Sequence, residues 1–325
     1  MSTSVIAANF WDAEYLDEYE IPFGDWVQDA INWIVNNLGW LLDAIEWPIR
    51  QLLDIINDDI LQTVPWPFVV GFVVVLGTLT RGPRIGILSG AGLVVCGMLG
   101  DGFWGDTMLT IAMILTAVLI CVVIGLPLGI AAGRSDRVSS FIRPVLDAMQ
   151  TIHPFVWLVP VVFFWGVRQV PGVIATVIFA LPPIVRLTDL GIRQVPEDVV
   201  EAGRAYGSTE RQLLFDIQLP LARRTIMAGL NQTLMLALSM VVIAALLAAG
   251  GLGQQILRGV QTTDIPLAAS AGVAVLIVAM VLDRLSQQPR SPSGEQPPPS
   301  LFKRFFGRGS KLRSGRSLEA ANSAE

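Results

Sequence analysis

Few residues in this chain have the type and spacing to do chemistry. Its single histidine, His153, lies six positions after Asp147 in one apolar run, which sets the two on different faces of a helix. Ionisable groups inside such a run are costly and mark pathways or relays. Arg186 and Asp189 are three residues apart near the end of another run, the spacing of an ion pair on one helix face. Asn231 and Gln232 could join helices by hydrogen bonding. Phe155, Trp157, Phe163, Phe164 and Trp165 crowd around His153, and their ring faces could hold a fixed positive charge by cation–π attraction. The same rings equally suit packing against lipid or neighbouring helices. His153, Phe155, Trp157 and Asn231 are therefore the candidate pathway residues, with a second role open for His153 as hydrogen-bond partner of a carbonyl freed by Pro154. The inventory does not describe an enzyme, since it holds one His, no Cys/His cluster and no carboxylate pair in a credible cleft. Cys96 and Cys121 both sit inside apolar runs, so neither a disulfide nor a metal site is expected. No G-x-x-x-x-G-K-[ST] loop occurs, so the chain cannot cradle ATP in that way, and no cofactor is expected.

The elements that must position these residues follow from composition. Apolar residues make up 53% of the 325 and charged residues only 15%, whereas soluble domains carry about a quarter charged residues. The apolar residues gather into runs near the roughly 18–20 residues that cross a hydrocarbon core. The expected fold is all-α, a polytopic bundle with about seven spans, at 64–80, 85–100, 107–133, 144–166, 171–192, 224–249 and 265–283. Segments 81–84, 134–143, 186–224 and 284–325 then share one side and hold 19 of the 22 Lys and Arg. The positive-inside rule makes that side cytoplasmic, with the N-terminus outside and the C-terminus inside. The N-terminus is acidic and polar, so no cleavable signal sequence is expected.

Residues 1–63 read as an acidic, extracytoplasmic amphipathic region. Trp26, Trp33, Trp40 and Trp47 recur every seven residues and share a face with Ile34, Leu41, Ile45, Leu52 and Ile56. A helix lying on the membrane surface and contacting lipid explains this pattern, as does a coiled-coil seam. Pro48 should bend or end its first part. Residues 287–325, rich in Pro, Ser, Gly and Arg, read as a disordered tail.

The stretch "VPEDVVEAGRAYGSTERQLLFDIQLPLARR" (195–224) is unlike the rest. Pro196, Glu197 and Asp198 suit a helix start, with Val200 and Ala205 or Tyr206 on its apolar side. Gly207-Ser208 breaks that helix, and Ser208 or Thr209 can cap a second one, which carries Leu213, Leu214 and Ile217 and ends at Leu219-Pro220. Two short helices at an angle, over about 196–220, would form a compact cytoplasmic knob. Spacing alone fits either a cover over helix ends or a docking element.

Glu201-Ala202-Gly203, then Gly207, Ile217 and Leu219-Pro220, resembles the "EAA" signature of ABC importer permeases. The resemblance implies that the knob docks into a groove on a separate cytoplasmic ATPase and passes its closure to the membrane helices. Gly203 stands where that family usually has Ala, and a Gly inside a helix, costing up to about 1 kcal/mol, would loosen the knob. "GLPLGIAAGRSDR", "RPVLDAMQTI", "VPGVIATVIFALPPIVRLTDLGIRQVPEDVVEAGRAYG" and "IMAGLNQTLMLALSMVVIAALLAAGGLGQQILRGVQ" are similar to the permease subunit of glycine betaine/proline betaine (ProU-type) importers. The similarity runs over roughly 107–286 and implies an ABC type I importer permease core, with 64–106 as two accessory transmembrane helices. It also implies a periplasmic or extracellular substrate-binding protein, a permease homodimer, a cytoplasmic-membrane location and no nucleic-acid partner. "TIHPFVWLVP" and "FWGVRQVPG" depart from the family pattern, which leaves other small solutes open as substrate, such as choline, dimethylsulfoniopropionate or an amino acid derivative. The small residues of "AALLAAGGLG" allow close helix approach, in what could be part of an outer gate.

Overall fold

The computed structural model describes residues 22–245 and 249–286. The expectations for the acidic residues before 22 and for the tail from 287 lie outside them. Among the described residues every regular element is helical. Helix α1 (Phe23–Asp54) continues through π turns at Ile55–Gln62 and is followed by α2 (Trp66–Arg81), α3 (Pro83–Met98), α4 (Phe103–Arg134) and α5 (Asp136–Thr151). Then come α6 (Pro154–Trp165), α7 (Gln169–Arg193), α8 (Glu197–Ala205), α9 (Glu210–Ala245), α10 (Gly251–Gln261) and α11 (Ile265–Ser286).

At the centre, α7 packs along both α4 and α9. Helices in lipid gain little from the hydrophobic effect, so close packing of small residues must hold them together. Gly125, Gly129 and Gly133 supply it on α4, one turn apart. A Cβ on Gly125 would stand 2.5 Å from Ile184 Cγ2, and one on Gly129 would stand 2.5 Å from Thr188 Cβ. On the other side of α7, a Cβ on Gly229 of α9 would stand 3.0 Å from Leu187 Cβ. The fully buried Ala175, Ala180, Ile184, Val185, Ala237 and Met240 complete this core.

Among the described residues four helices are long and apolar enough to cross a membrane, namely α4, α7, α9 and α11, and two bent pairs, α1–α2 and α5–α6, each pass that test jointly. The shorter apolar α3 does not pass it, so the described residues offer four to six spans where about seven were expected, and the shapes differ as well. The run 144–166 is not one span. It consists of α5 and α6, which meet at 96°. Pro154 disfavours the α conformation in the residue before it, and Ile152 and His153 are accordingly extended, at φ −76°, ψ 130° and φ −59°, ψ 138°. The expected loop 134–143 shrinks to Ser135, because α5 begins at Asp136. The run 224–249 belongs to a helix that starts at Glu210, and α10 was not foreseen.

In α1 the kink falls at Leu38 (φ −113°, ψ 15°), beside Gly39, while Pro48 sits inside continuing helix. A glycine weakens the helix there. The side of α1 that packs on the bundle carries Leu42 and Leu53, whereas Trp26, Trp33, Trp40 and Trp47 are all at least 60% exposed. The tryptophan stripe is thus left open to a second phase or partner. Trp165 Nε1 of α6 donates to the Leu42 carbonyl at 3.0 Å and fixes α1 against α6.

Candidate functional site

The knob is built by backbone hydrogen bonding at one glycine. Gly207 lies at φ +81°, a left-handed conformation that glycine adopts without cost. Its N–H donates to the Arg204 carbonyl at 2.9 Å and the Ser208 N–H donates to the Gly203 carbonyl at 3.1 Å. These two bonds make a Schellman motif, which satisfies the last carbonyls of α8 and turns the chain sharply. Two residues on, Thr209 caps α9. Its Oγ1 accepts from the Gln212 N–H at 3.4 Å, and the Thr209 N–H donates to Gln212 Oε1 at 2.9 Å. This reciprocal pair is a capping box.

Gly203 is buried where α8 crosses α9, and a Cβ there would stand 2.7 Å from Ile217 Cδ1 and 3.0 Å from Leu213 Cδ1. The bare backbone of this glycine lets the two helices pack closely, which sets a packing gain against the helix-propensity cost expected of it. Glu201 and Ala202 face outward beside it. Tyr206, expected on the packed side of α8, is 92% exposed, and Phe215 is 59% exposed. The knob thus presents two aromatics outward, one that spacing had placed on the packed side and one, Phe215, that it did not single out.

The second helix does not end at Leu219-Pro220. π turns at Leu213–Gln218 widen α9 just before Pro220, and the helix runs on to Ala245. A proline has no N–H for the ladder, and a π bulge is a place where a helix tolerates such an irregularity. The half-buried Leu219 packs with Leu214, Ala222 and Ile192, so α9 is braced against α7 directly beneath the knob.

Charges tie the knob end of the bundle together. Glu210 accepts from Arg134, the last residue of α4, at 2.6 Å and lies 3.4 Å from Arg204 of α8. Arg193, the last residue of α7, binds Asp189 at 2.5 Å, Asp136 at 2.6 Å and the Ala132 carbonyl at 2.8 Å. Asp189 also accepts from Ser139 at 3.2 Å and lies 3.7 Å from Arg143. Arg186 reaches across to Asp147 at 2.5 Å. The expected Arg186–Asp189 pair is therefore not formed. Each partner finds an opposite charge on the surface helix α5, and Asp189 finds Arg193 as well. The result is a ladder that fastens α5 to α7 and lines a cavity of about 350 Å³.

The expected pathway residues are not gathered into one site. His153 is the N-cap of α6, where its Nδ1 accepts from the Phe155 N–H at 3.4 Å and its ring stacks on Phe155 with centroids 5.6 Å apart. It accepts from an N–H and does not donate to a carbonyl freed by Pro154. Trp157 lies half-buried on the same helix. Asn231 Oδ1 accepts from Ser286 Oγ at 2.8 Å and joins α9 to α11. Close approach at "AAGGLG" is observed outside the three undescribed residues 246–248. Gly251 sits against α4, where the Leu252 N–H donates to Thr110 Oγ1 at 3.0 Å and Gln255 donates to Asp106 at 2.6 Å.

Residues 125–287 match the family described as binding-protein-dependent transport system inner membrane component. The chain is 46% identical over 288 residues to the glycine betaine/proline betaine transport system permease protein ProW of Escherichia coli (strain K12), covering 88% of this chain and 80% of that one. It is 42% identical over 272 residues to the glycine betaine/carnitine transport permease protein GbuB of Listeria monocytogenes serotype 1/2a (strain 10403S), covering 82% and 95%. Among solved structures, an inward-facing conformation of the MetNI methionine ABC transporter is 24% identical with a TM-score of 0.48, covering 55% of this chain and 87% of that chain.

Proposed function

The chain belongs to the family of binding-protein-dependent transport system inner membrane components, and from that premise we propose that it is the permease subunit of an ABC importer for a quaternary-ammonium osmolyte, glycine betaine or proline betaine. The substrate rests on the relatives of known name, which are permeases for glycine betaine with proline betaine or carnitine. The observation that carries the mechanism is the knob, with its Schellman turn at Gly207 and its two bracing contacts to the bundle at Glu210–Arg134 and Leu214–Ile192.

In this reading the knob, with Glu201, Ala202, Gly203, Gly207, Ile217, Leu219 and Pro220, seats in a separate cytoplasmic ATPase. ATP binding closes the ATPases and displaces the knob. Because α9 is one helix from Glu210 to Ala245, the displacement reaches the far side of the bundle without a joint. Two copies of the permease would surround the pathway, following the twofold habit of oligomers, and a periplasmic or extracellular binding protein would load them. In that ATP-bound state the paired bundles open outward to accept the substrate, and hydrolysis resets them.

The knob end of the bundle also holds Arg134, Arg193, Arg204, Arg211, Arg223 and Arg224, which supports a cytoplasmic knob, an N-terminus outside and a C-terminus inside. Residues 107–286 act as the permease domain, 64–106 as two accessory helices and 1–63 as the outer amphipathic region.

ATP-dependent uptake of labelled glycine betaine into proteoliposomes holding the chain and its ATPase, with the binding protein added outside, tests the reading. Saturable uptake that choline and proline compete poorly is the expected result. Association with the ATPase without betaine uptake would remove the substrate. No association with an ATPase would remove the coupling role.

A further inference from the structure

A cavity of about 390 Å³ opens at the end of the bundle opposite the knob, lined by Arg50, Leu53 and Asp54 of α1, Val167 and Arg168 before α7, and Gln254 of α10. Gln169 and Gly250 also line it. It sits at the first residue of α7, whose 25 residues separate it from Arg193 by about 37 Å.

The basic residues give the cavity its meaning. Only 3 of the 22 Lys and Arg, Arg50, Arg168 and Arg258, fall outside the segments assigned to the cytoplasmic side. Two of those three line this one cavity. Arg50 has a weak engagement, 3.7 Å from Glu46 on its own helix, and Arg168 is exposed. Asp54 supplies a carboxylate in the same space, while Leu53, Val167, Val170 and Ala249 supply apolar wall. Guanidinium groups bind carboxylates in a fixed fork geometry. A methylated ammonium offers no N–H, so an anion at a distance and apolar surface for its methyl groups suit it.

We propose that this cavity is an entry site for a small zwitterion, holding the carboxylate on Arg168 and Arg50 and the methylated ammonium beside Asp54. The proposal rests on the importer reading above and adds the place where substrate first meets the permease. Its location at the junction of α1, α7 and α10 gives the outer amphipathic region a part in the site, and it places the solute where the long helices α7 and α9 both end.

The test uses the complete complex in proteoliposomes with the binding protein outside, and compares wild type with Arg168→Gln, Arg168→Lys and the double variant Arg50→Gln/Arg168→Gln. Three quantities are read: betaine uptake, association of the loaded binding protein, and ATP hydrolysis stimulated by it. The expected result is that the double variant loses uptake at least tenfold while binding-protein association and stimulated hydrolysis persist, with Arg168→Lys recovering part of the uptake. Unchanged uptake in the double variant overturns the proposal. Loss of binding-protein association in parallel with uptake also overturns it, and makes the cavity a protein-docking surface. Wild-type complex that hydrolyses ATP but never imports betaine refutes the importer reading itself, which is a distinct result from a silent double variant.

Discussion

The Cβ that Gly203 lacks would stand 2.7 Å from Ile217 Cδ1, so α8 and α9 meet here with little room to spare. The obstructing atom is the tip of a flexible side chain. Gly203→Ala should therefore be accommodated by a small shift of Ile217, and the gain of up to about 1 kcal/mol in helix propensity offsets the crowding. Gly203→Leu cannot be absorbed in this way and must part the helices. The expectation is near-normal uptake and ATPase binding for Gly203→Ala, and loss of both for Gly203→Leu with unchanged membrane insertion. Equal loss in both variants would show that the position contributes something other than space.

Gly207 separates backbone need from surface need, because a side chain there would meet no atom within 4 Å while φ stands at +81°. Asn enters this conformation more readily than other residues, whereas a β-branched residue pays about 1–2 kcal/mol or more. Gly207→Asn should keep ATPase association within about threefold, and Gly207→Val should lower it at least tenfold. Gly207→Asp, which adds a charge at the bend, should lose transport while the chain remains inserted. Normal uptake by Gly207→Asp would sink the docking role of the knob.

How much of this was legible in the sequence depended on the range of the interaction. The Gly207 break, the Thr209 cap and the close packing at Gly250–Gly253 follow from local residue type, and local rules found them. The right-angle break at Ile152–His153 was hidden because 144–166 has the length of one span, although the polar Asp147, Gln150 and Thr151 and the proline at 154 were a sufficient warning. Helix α10 has 11 residues and carries Gln254, Gln255 and Arg258, so it is too short and too polar to stand out as a span. Arg186 and Asp189 had the spacing of a pair, yet the partners that won are 39 residues away for Arg186 and one turn onward, at Arg193, for Asp189. The choice among several opposite charges is made by tertiary packing, which no spacing on one helix encodes. The bracing role of Arg134 and Glu210, 76 residues apart, was missed for the same reason.

The Arg134–Glu210 pair is exposed, at 37% and 58%, and pairs of this kind stabilise by only about 0.2–1 kcal/mol. Arg134→Ala should therefore barely change the thermal unfolding of the complex. If the pair carries motion from the knob to α4, the same variant should lower the amount of solute imported per ATP hydrolysed, without weakening ATPase association. Unchanged coupling stoichiometry would leave the brace to Leu214 and Ile192 alone.

The ladder between α5 and α7 predicts a charge-swap result. Asp147→Arg sets two cations against each other beside Arg186, and should reduce assembly or uptake. Adding Arg186→Asp restores an attractive pair across the same gap and should recover most of the loss. A double variant no better than the worse single one would show that the 2.5 Å contact is incidental to fastening α5.

The two stripes of α1 should respond differently to truncation. Leu53 is 2% exposed and joins the main core, whereas Trp40 is 69% exposed. Removing a buried leucine side chain costs about 2–5 kcal/mol in well-packed interiors, so Leu53→Ala should lower the thermal midpoint of the detergent-solubilised protein by several degrees. Trp40→Ala should leave that midpoint unchanged and instead weaken the association of an isolated α1 peptide with lipid vesicles, since an exposed tryptophan gains most at the membrane–water boundary. A midpoint lowered by Trp40→Ala to the same extent as by Leu53→Ala would mean that the tryptophan stripe packs against protein, and of the two expectations for α1 the membrane-surface helix would have to be given up.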